Sequence, residues 1–113
     1  MKPKPVLADR LFEVKDVFGK RIRTTKAYWA YISETKHRVL EDKLPEVIET
    51  LRKASEVRRS QEDPKVFLYY RKINRHFMCV VVKHLNDEGF IITAYITGKL
   101  YKKGEKLWPK QSR

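Results

Sequence analysis

The chain has 113 residues, a length that predicts a single domain, and it carries 26 lysines and arginines against 14 aspartates and glutamates. A net charge of +12 favours a polyanionic partner, with nucleic acid first and an anionic membrane surface second, over solubility or adaptation to heat or salt. The longest apolar run, Phe77 to Val82, is too short to cross a bilayer, and one cysteine, Cys79, excludes an internal disulfide. We therefore predict a cytoplasmic protein without a membrane partner.

Residues 1–9 contain two prolines and two lysines and no apolar stretch of the signal-peptide kind. They are predicted to be a flexible basic arm ahead of a single domain at residues 10–113. Leu11 to Lys15 is predicted to be a short strand, and Arg21 to Arg23 is predicted to return as its partner after a turn at Gly19.

Two helices are predicted next. Between Lys26 and about Leu40, Trp29 and Ile32 fall at helical spacing. A second helix is predicted from Leu44 to about Ala54, with a proline in its first turn, where a missing N–H is harmless.

The period then changes from 3.6 to 2, which predicts strands. These are an edge-like strand at Glu56–Ser60 and three further strands at Val66–Lys72, Phe77–His84 and Phe90–Thr97. Helices followed by successive strands predict an α+β fold, with N-terminal helices packed on one face of a four-stranded antiparallel meander.

Loop lengths predict which side chains share a face of that meander. A two-residue loop at Asn74-Arg75 pairs Tyr69 with Val80, and a four-residue loop at residues 86–89 pairs Val80 with Tyr95. The face predicted to pack on the helices carries Val66, Leu68, Tyr70, Phe77, Cys79, Val81, Phe90, Ile92, Ala94 and Ile96. The face predicted to be open carries Phe67, Tyr69, Arg71, Met78, Val80, Val82, His84, Ile91, Thr93, Tyr95 and Thr97. Such a face is either a binding site or an ordinary solvated surface, where threonine and tyrosine are favoured by β-propensity.

Metal-free RNA cleavage needs a base and an acid around the 2′-hydroxyl and cations around the developing phosphorane charge. Arg71 suits phosphate, because its planar guanidinium holds two oxygens in fixed geometry. Thr93 and Tyr95 can donate to phosphate or orient the 2′-hydroxyl. His37 is the candidate base or acid, since a histidine titrates near neutral pH and its flanking cations favour the neutral form.

The lysine-rich tail after the last strand is predicted to follow the RNA backbone. The residues predicted to contact RNA are Tyr69, Tyr70, Lys83, Lys99, Lys102 and Lys103. No cysteine and histidine cluster has metal-ligand spacing, so neither a metal nor a cofactor is predicted.

Several of these motifs recur together in a known family. They are Tyr69-Tyr70-Arg71, an apolar strand ending in Lys83, Ile92-Thr93-Ala94-Tyr95, and Lys103-Gly104-Glu105 followed by Trp108. As a set spanning roughly residues 28–108, they resemble the phage and prokaryotic branch of the barnase–EndoU–colicin–RelE-like nucleases. The resemblance implies N-terminal helices on a four-stranded antiparallel sheet, and metal-independent ribonuclease activity in toxin–antitoxin, phage or inter-bacterial conflict systems.

The resemblance also implies which residues act. It makes His37, Arg71, Thr93 and Tyr95 the site residues, with Tyr70 and Lys83 in support. We predict a ribonuclease toxin that acts on tRNA or mRNA, with a protein antitoxin as a candidate partner. The alternatives are a non-catalytic RNA- or DNA-binding module on the same basic surface, and a phage structural protein that meets acidic partners.

Overall fold

A computed structural model of the protein describes residues 10–36, 38–100 and 102–109, so the arm predicted for residues 1–9 lies outside the described part. Within these ranges seven strands form one mixed sheet. They are β1 (Arg10–Lys15), β2 (Arg21–Thr25), β3 (Glu56–Arg59), β4 (Val66–Ile73), β5 (His76–Leu85), β6 (Glu88–Thr97) and β7 (Lys106–Trp108). Their spatial order is β1-β2-β6-β5-β4-β3-β7, with β2 parallel to β6 and every other neighbouring pair antiparallel.

The helical segments lie between β2 and β3. Helix α1 (Lys26–Ala30) begins where Thr25 accepts a hydrogen bond from the Tyr28 backbone N–H at 3.1 Å. It continues as a π-helical turn at Tyr31–Lys36, and a 3₁₀ turn follows at Arg38–Leu40. Helix α2 spans Leu44–Arg52, with its proline in the first turn. None of the helices in the described ranges is long and apolar enough to span a membrane.

The predicted fold class is therefore wrong. The sheet has seven strands and is mixed, whereas the prediction was a four-stranded antiparallel meander under N-terminal helices. Strands β3 to β6 do follow one another as an antiparallel meander, but β2 adds in parallel at one side and β7 adds at the other. In place of the predicted helix from Lys26 to Leu40, the described residues form a five-residue α-helix, a wider π-helical turn and a tighter 3₁₀ turn.

The β4–β5 hairpin has the predicted register, with Tyr69 opposite Val80 across the Asn74-Arg75 turn. The β5–β6 hairpin differs, because its turn has two residues, Asn86-Asp87, and Asn86 adopts a φ of 58°.

A β-bulge then interrupts the β5–β6 ladder. Val82 lies opposite Ile91 but Val81 lies opposite Thr93, so Ile92 is an extra residue in β6. The Ile92 carbonyl accepts a hydrogen bond from the Tyr28 hydroxyl at 2.8 Å, which fixes the bulge against α1. Beyond the bulge, each β6 side chain therefore shares a face with the β4 and β5 residues that were predicted to lie on the other side of the sheet from it.

The helical segments cover the sheet face that the sequence predicted to be open, which we call the inner face. Its buried apolar residues are Val57, Tyr69, Met78, Val80, Val82, Ile91 and Ala94. They pack against buried side chains that come from β2 and the helical segments, namely Ile22, Trp29, Ile32, Leu40, Val47 and Leu51. The assignment of the two faces to core and solvent was wrong, because both faces are rich in apolar residues and alternation alone does not choose between them.

The other side, the outer face, is partly covered by the segment between β6 and β7. This crossing segment, described at residues 98–100 and 102–105, passes β5, β4 and β3 to reach the far edge of the sheet. It is fastened to β3, where Arg58 Nη1 donates to the Gly104 carbonyl at 3.0 Å and the Arg59 N–H donates to the Glu105 carbonyl at 2.8 Å. Tyr70 and Cys79 face this side, and they are 1% and 0% exposed.

Candidate nucleic-acid interface

Two rows of side chains run across the outer face, because directly paired residues of neighbouring strands share a face. One row contains Glu56, Tyr70, Cys79 and Tyr95. The row beside it contains Arg58, Leu68, Val81 and Thr93. The outer face thus combines two tyrosines, a threonine and an ion pair with aliphatic side chains.

Tyr70, Cys79 and Tyr95 form one hydrogen-bonded group. Both tyrosine hydroxyls contact the thiol, and they also contact each other. Burial raises the pKa of Cys79 to about 11, and burial likewise raises the pKa values of both tyrosines above their ordinary value. All three groups are therefore protonated at neutral pH, and they can donate hydrogen bonds but cannot act as ready nucleophiles.

Glu56 and Arg58 face outward from β3 and form an ion pair whose side chains are 14% and 13% exposed. The guanidinium also donates to the Gly104 carbonyl, so its position is fixed from two sides. Burial of this degree strengthens the pair relative to one in open solvent.

Charge on this side of the molecule is unevenly paired. Near β1 and β2, Arg21 pairs with Glu13 at 3.9 Å and Arg23 pairs with Glu88 at 2.9 Å. Five exposed lysines on or beside the crossing segment have no ion-pair partner among the described residues. They are Lys72, Lys99, Lys102, Lys103 and Lys106. These five lysines form an unpaired basic group on and beside the covered part of the outer face, while Lys15, Lys26, Lys65 and Arg75 are exposed without an ion-pair partner elsewhere in the described ranges.

A depression of about 160 Å³ opens beside the crossing segment. Leu68 and Tyr70 form its apolar floor, and its walls are Arg58, residues 59–62 and Lys103. It therefore places an unpaired amine and several polar groups around an apolar surface.

Arg71 lies on the inner face, away from these rows. Its guanidinium donates to the Glu46 carboxylate, and it also reaches the Glu46 carbonyl and the Thr50 hydroxyl, each at 3.3 Å. These contacts tie β4 to α2. The structure does not bring Arg71 together with Thr93 and Tyr95, which lie on the opposite side of the sheet.

Tyr69 is fully buried on the inner face, so it is not available to contact RNA. Its hydroxyl donates to Asp16 Oδ2 and lies 2.8 Å from His84 Nε2. Asp16 Oδ1 accepts from the backbone N–H groups of Phe18 and Lys20 at 2.9 and 2.8 Å. This network fastens the β1–β2 turn to the centre of the sheet.

The network also sets the state of His84. Burial, followed by the charge of Lys20, lowers the pKa of His84 to about 4 against the opposing effect of Asp16. The imidazole is therefore neutral at pH 7. Because the Tyr69 hydroxyl donates to Asp16, it accepts from His84 Nε2–H, and Nδ1 has no partner among the described residues.

The remaining residues of the predicted site lie in different places. His37 lies outside the described residues. Lys83 is on the outer face, where its amine donates to Asp63 and holds the pKa of that carboxyl below its usual value. Thr93 shares the outer face with Tyr95, and its Oγ1 is buried without a hydrogen-bond partner in the described part of the chain. Tyr70, predicted to support the site and to contact RNA, lies in the same group, and it is 1% exposed.

Sequence reasoning missed the contribution of β3 and of the loop that follows it. Glu56 and Arg58 flank an apolar Val57, and this alternation was the available signal that both charges face one side. The role of Gln61 and Glu62 had no signal of its own, because it depends on where the crossing segment passes.

No group of three or more histidine, cysteine, aspartate or glutamate side chains that could hold a metal ion occurs within the described ranges. A scan against models of protein families found no match, and searches of curated proteins and of solved structures found no significant match either. The likeness to the barnase–EndoU–colicin–RelE-like nucleases therefore stays a prediction from sequence motifs.

Proposed function

We propose that the protein binds single-stranded nucleic acid, with RNA as the preferred form, through the crossing segment and the outer face beneath it. The observation that carries this proposal is the group of five unpaired, exposed lysines on and beside that face. Lysines of this kind neutralise phosphates and release counterions, which supplies most of the affinity for a nucleic acid without sequence preference. An apolar and aromatic surface next to them suits unpaired bases.

Binding is favoured over cleavage because the predicted catalytic set is divided between two faces of the sheet. Arg71 is engaged by α2 on the inner face, while Thr93 and Tyr95 lie on the outer face. A buried, reduced Cys79 and an RNA partner both fit the predicted cytoplasmic location.

The test compares two triple variants with the same change of charge. Replacing Lys99, Lys102 and Lys103 with alanine removes three unpaired cations from the proposed track. Replacing Lys26, Lys43 and Lys53 with alanine removes three lysines from the helical side of the molecule. Affinity for a labelled single-stranded RNA is measured by fluorescence anisotropy over a series of salt concentrations.

We expect the outer-face variant to lose at least about tenfold in affinity and to reduce the slope of log K against log salt by about 2, since each contacted phosphate of a single strand contributes about 0.7. The helical-side variant should retain most of the affinity and the slope. Equal losses in the two variants would mean that net charge, and not this surface, determines binding. A DNA strand of the same sequence tests whether the 2′-hydroxyl contributes.

RNA cleavage is the second candidate, and the Glu56–Arg58 pair is the observation that favours it. A carboxylate can act as the base and a guanidinium can stabilise a phosphorane. Glu56 lies in the row of Tyr70 and Tyr95, and its partner Arg58 lies in the neighbouring row. The protein is incubated with total RNA and a chelator, and the ends are mapped. Cyclic phosphate ends that disappear with Glu56→Gln would establish cleavage; intact RNA would exclude it. A protein antitoxin belongs to this candidate alone.

A further inference from the structure

We propose that the depression beside the crossing segment takes one pyrimidine base of the bound strand and prefers cytosine. This inference rests on the proposed nucleic-acid-binding function and adds a base-reading subsite to it. The lysine track alone would bind any sequence, because phosphate contacts carry no direct information about the base.

The size and the floor of the depression fit a single ring. Its volume is about 160 Å³, and an apolar cavity of about 150 Å³ is known to admit benzene. Leu68 and Tyr70 supply the apolar floor, and Tyr70 is held in place by its contacts with Cys79 and Tyr95. A base that inserts here would leave water mainly for contact with Leu68, because Tyr70 forms the base of the floor and is only 1% exposed.

The walls are already ordered in the free protein. The Ser60 N–H donates to the Val66 carbonyl at 2.8 Å, and the Glu62 N–H donates to the Ser60 hydroxyl at 3.1 Å. Gly104 lets the crossing segment approach β3 closely, since a Cβ there would lie 2.0 Å from the Arg59 carbonyl oxygen. A site formed before binding loses little conformational entropy when the ligand enters.

The polar groups on the wall favour cytosine over uracil. Glu62 lines the depression, and its carboxylate can accept from the N4 amino group of a cytosine placed there. Uracil presents an oxygen at the equivalent position, which would face the carboxylate lone pairs without a proton between them. Lys103 lines the same depression and has no ion-pair partner among the described residues, so it can hold the phosphate of the inserted nucleotide.

The experiment uses the full chain and four labelled oligoribonucleotides of equal length, made of C, U, A or an abasic spacer. We expect C to bind about fivefold to tenfold more tightly than U, a range at the low end of base discrimination by side chains. Glu62→Gln should reduce the C-to-U ratio to near one while it leaves the affinity for U within about twofold. Glu34→Gln, which removes the same charge on the helical side, should keep the wild-type ratio.

A second variant keeps the test independent of one side chain. Leu68→Trp should fill the depression and bring C, U and A to the affinity of the abasic strand, while circular dichroism confirms that the sheet is folded. Equal binding of all four oligonucleotides by the wild type, or a wild-type C-to-U ratio in Glu62→Gln, would overturn the pocket and leave the lysine track intact. Failure of every oligonucleotide to bind would overturn the nucleic-acid function itself.

Discussion

Replacing Asp16 with alanine is expected to be among the most destabilising single changes in the protein. The residue is 6% exposed, and its carboxylate accepts three hydrogen bonds. Two come from the backbone N–H groups of Phe18 and Lys20, and the third comes from the fully buried Tyr69 hydroxyl. The variant removes the acceptor and leaves three donors without a partner: the two amides and either the Tyr69 hydroxyl or, if the proton of His84 moves from Nε2 to Nδ1, the buried Nδ1–H.

The size of the effect follows from those three donors. A buried donor left without a partner costs about 1–3 kcal/mol, and hydrogen bonds to a charged group lie at the upper end. The Tyr69 hydroxyl or the His84 Nδ1–H takes the full penalty because no solvent reaches it, while the two turn amides are partly reachable by water. We therefore expect Asp16→Ala to lower the free energy of unfolding by about 3–5 kcal/mol, a large part of the 5–15 kcal/mol typical of a domain.

Tyr69→Phe removes one of the three bonds and should lower the free energy of unfolding by about 2 kcal/mol. Because both residues belong to one network, the double variant should lose less than the sum of the two single changes. Urea denaturation followed by circular dichroism measures each midpoint at constant slope. Asp87→Ala, in an exposed turn, is the control and should change stability by less than about 0.5 kcal/mol. A loss below about 1 kcal/mol for Asp16→Ala, or strict additivity, would refute the reasoning.

Gly104→Ala should lose about 2 kcal/mol and weaken RNA binding, because the new Cβ would meet the Arg59 carbonyl and the residue has a φ of 80°, whereas Gly98→Ala, with open space around it, should be neutral in both assays. Arg71→Ala should lose about 1–2 kcal/mol of stability in urea and keep RNA affinity within about twofold, because its partners lie on α2; a specific loss of binding would return it to the site. The pKa of His84 is about 4 in the folded protein against 6.5 unfolded, so the unfolded state binds its proton first as the pH falls. Stability should then drop by about 2 kcal/mol between pH 7 and pH 4, after a discount for solvent screening, and urea titrations of His84→Gln should show a smaller drop.

The sequence predicted well those parts of the fold that are determined by residues close together in the chain. Asn74-Arg75 sits between two alternating runs and forms the predicted two-residue turn, with Asn74 at a φ of 55°. The register of the β4–β5 hairpin then followed by counting. The first turn of α2 is another case, since Pro45 is suited to a helix start.

The parts that the sequence did not predict depend on contacts between distant segments. The parallel pairing of β2 with β6 joins Ile22 to Gly89, and no local pattern announces which strand a short hairpin will extend. Strand β7 is only three residues long and forms because the crossing segment brings it to β3. The face that meets the helices was also undetermined, since Tyr70 and Cys79 on the outer face are as buried as Tyr69 on the inner face.

Two errors in the predicted site acted in opposite directions for different residues. The prediction assigned the helices to the wrong face of the sheet, an error that by itself would place Arg71, Thr93 and Tyr95 all on the side facing the helices. The bulge at Ile92 reverses this for Thr93 and Tyr95, which follow it in β6. These two residues therefore lie on the side away from the helices, as predicted, whereas Arg71 faces α2. The two-residue shift of the β5–β6 turn had no effect on faces, because only an odd shift turns a strand over.

A catalytic constellation read from strand alternation requires every loop and bulge between its members to be right, and one inserted residue separates Arg71 from Tyr95. The lysines of the crossing segment need only that the segment traverse the outer face. The pairing of β7 with β3 brings the chain to the far edge of the sheet, and the contact between Arg58 and Gly104 places its path on the outer face. The electrostatic surface is thus a firmer basis for a function than the catalytic set, and the salt dependence of RNA binding tests that surface directly.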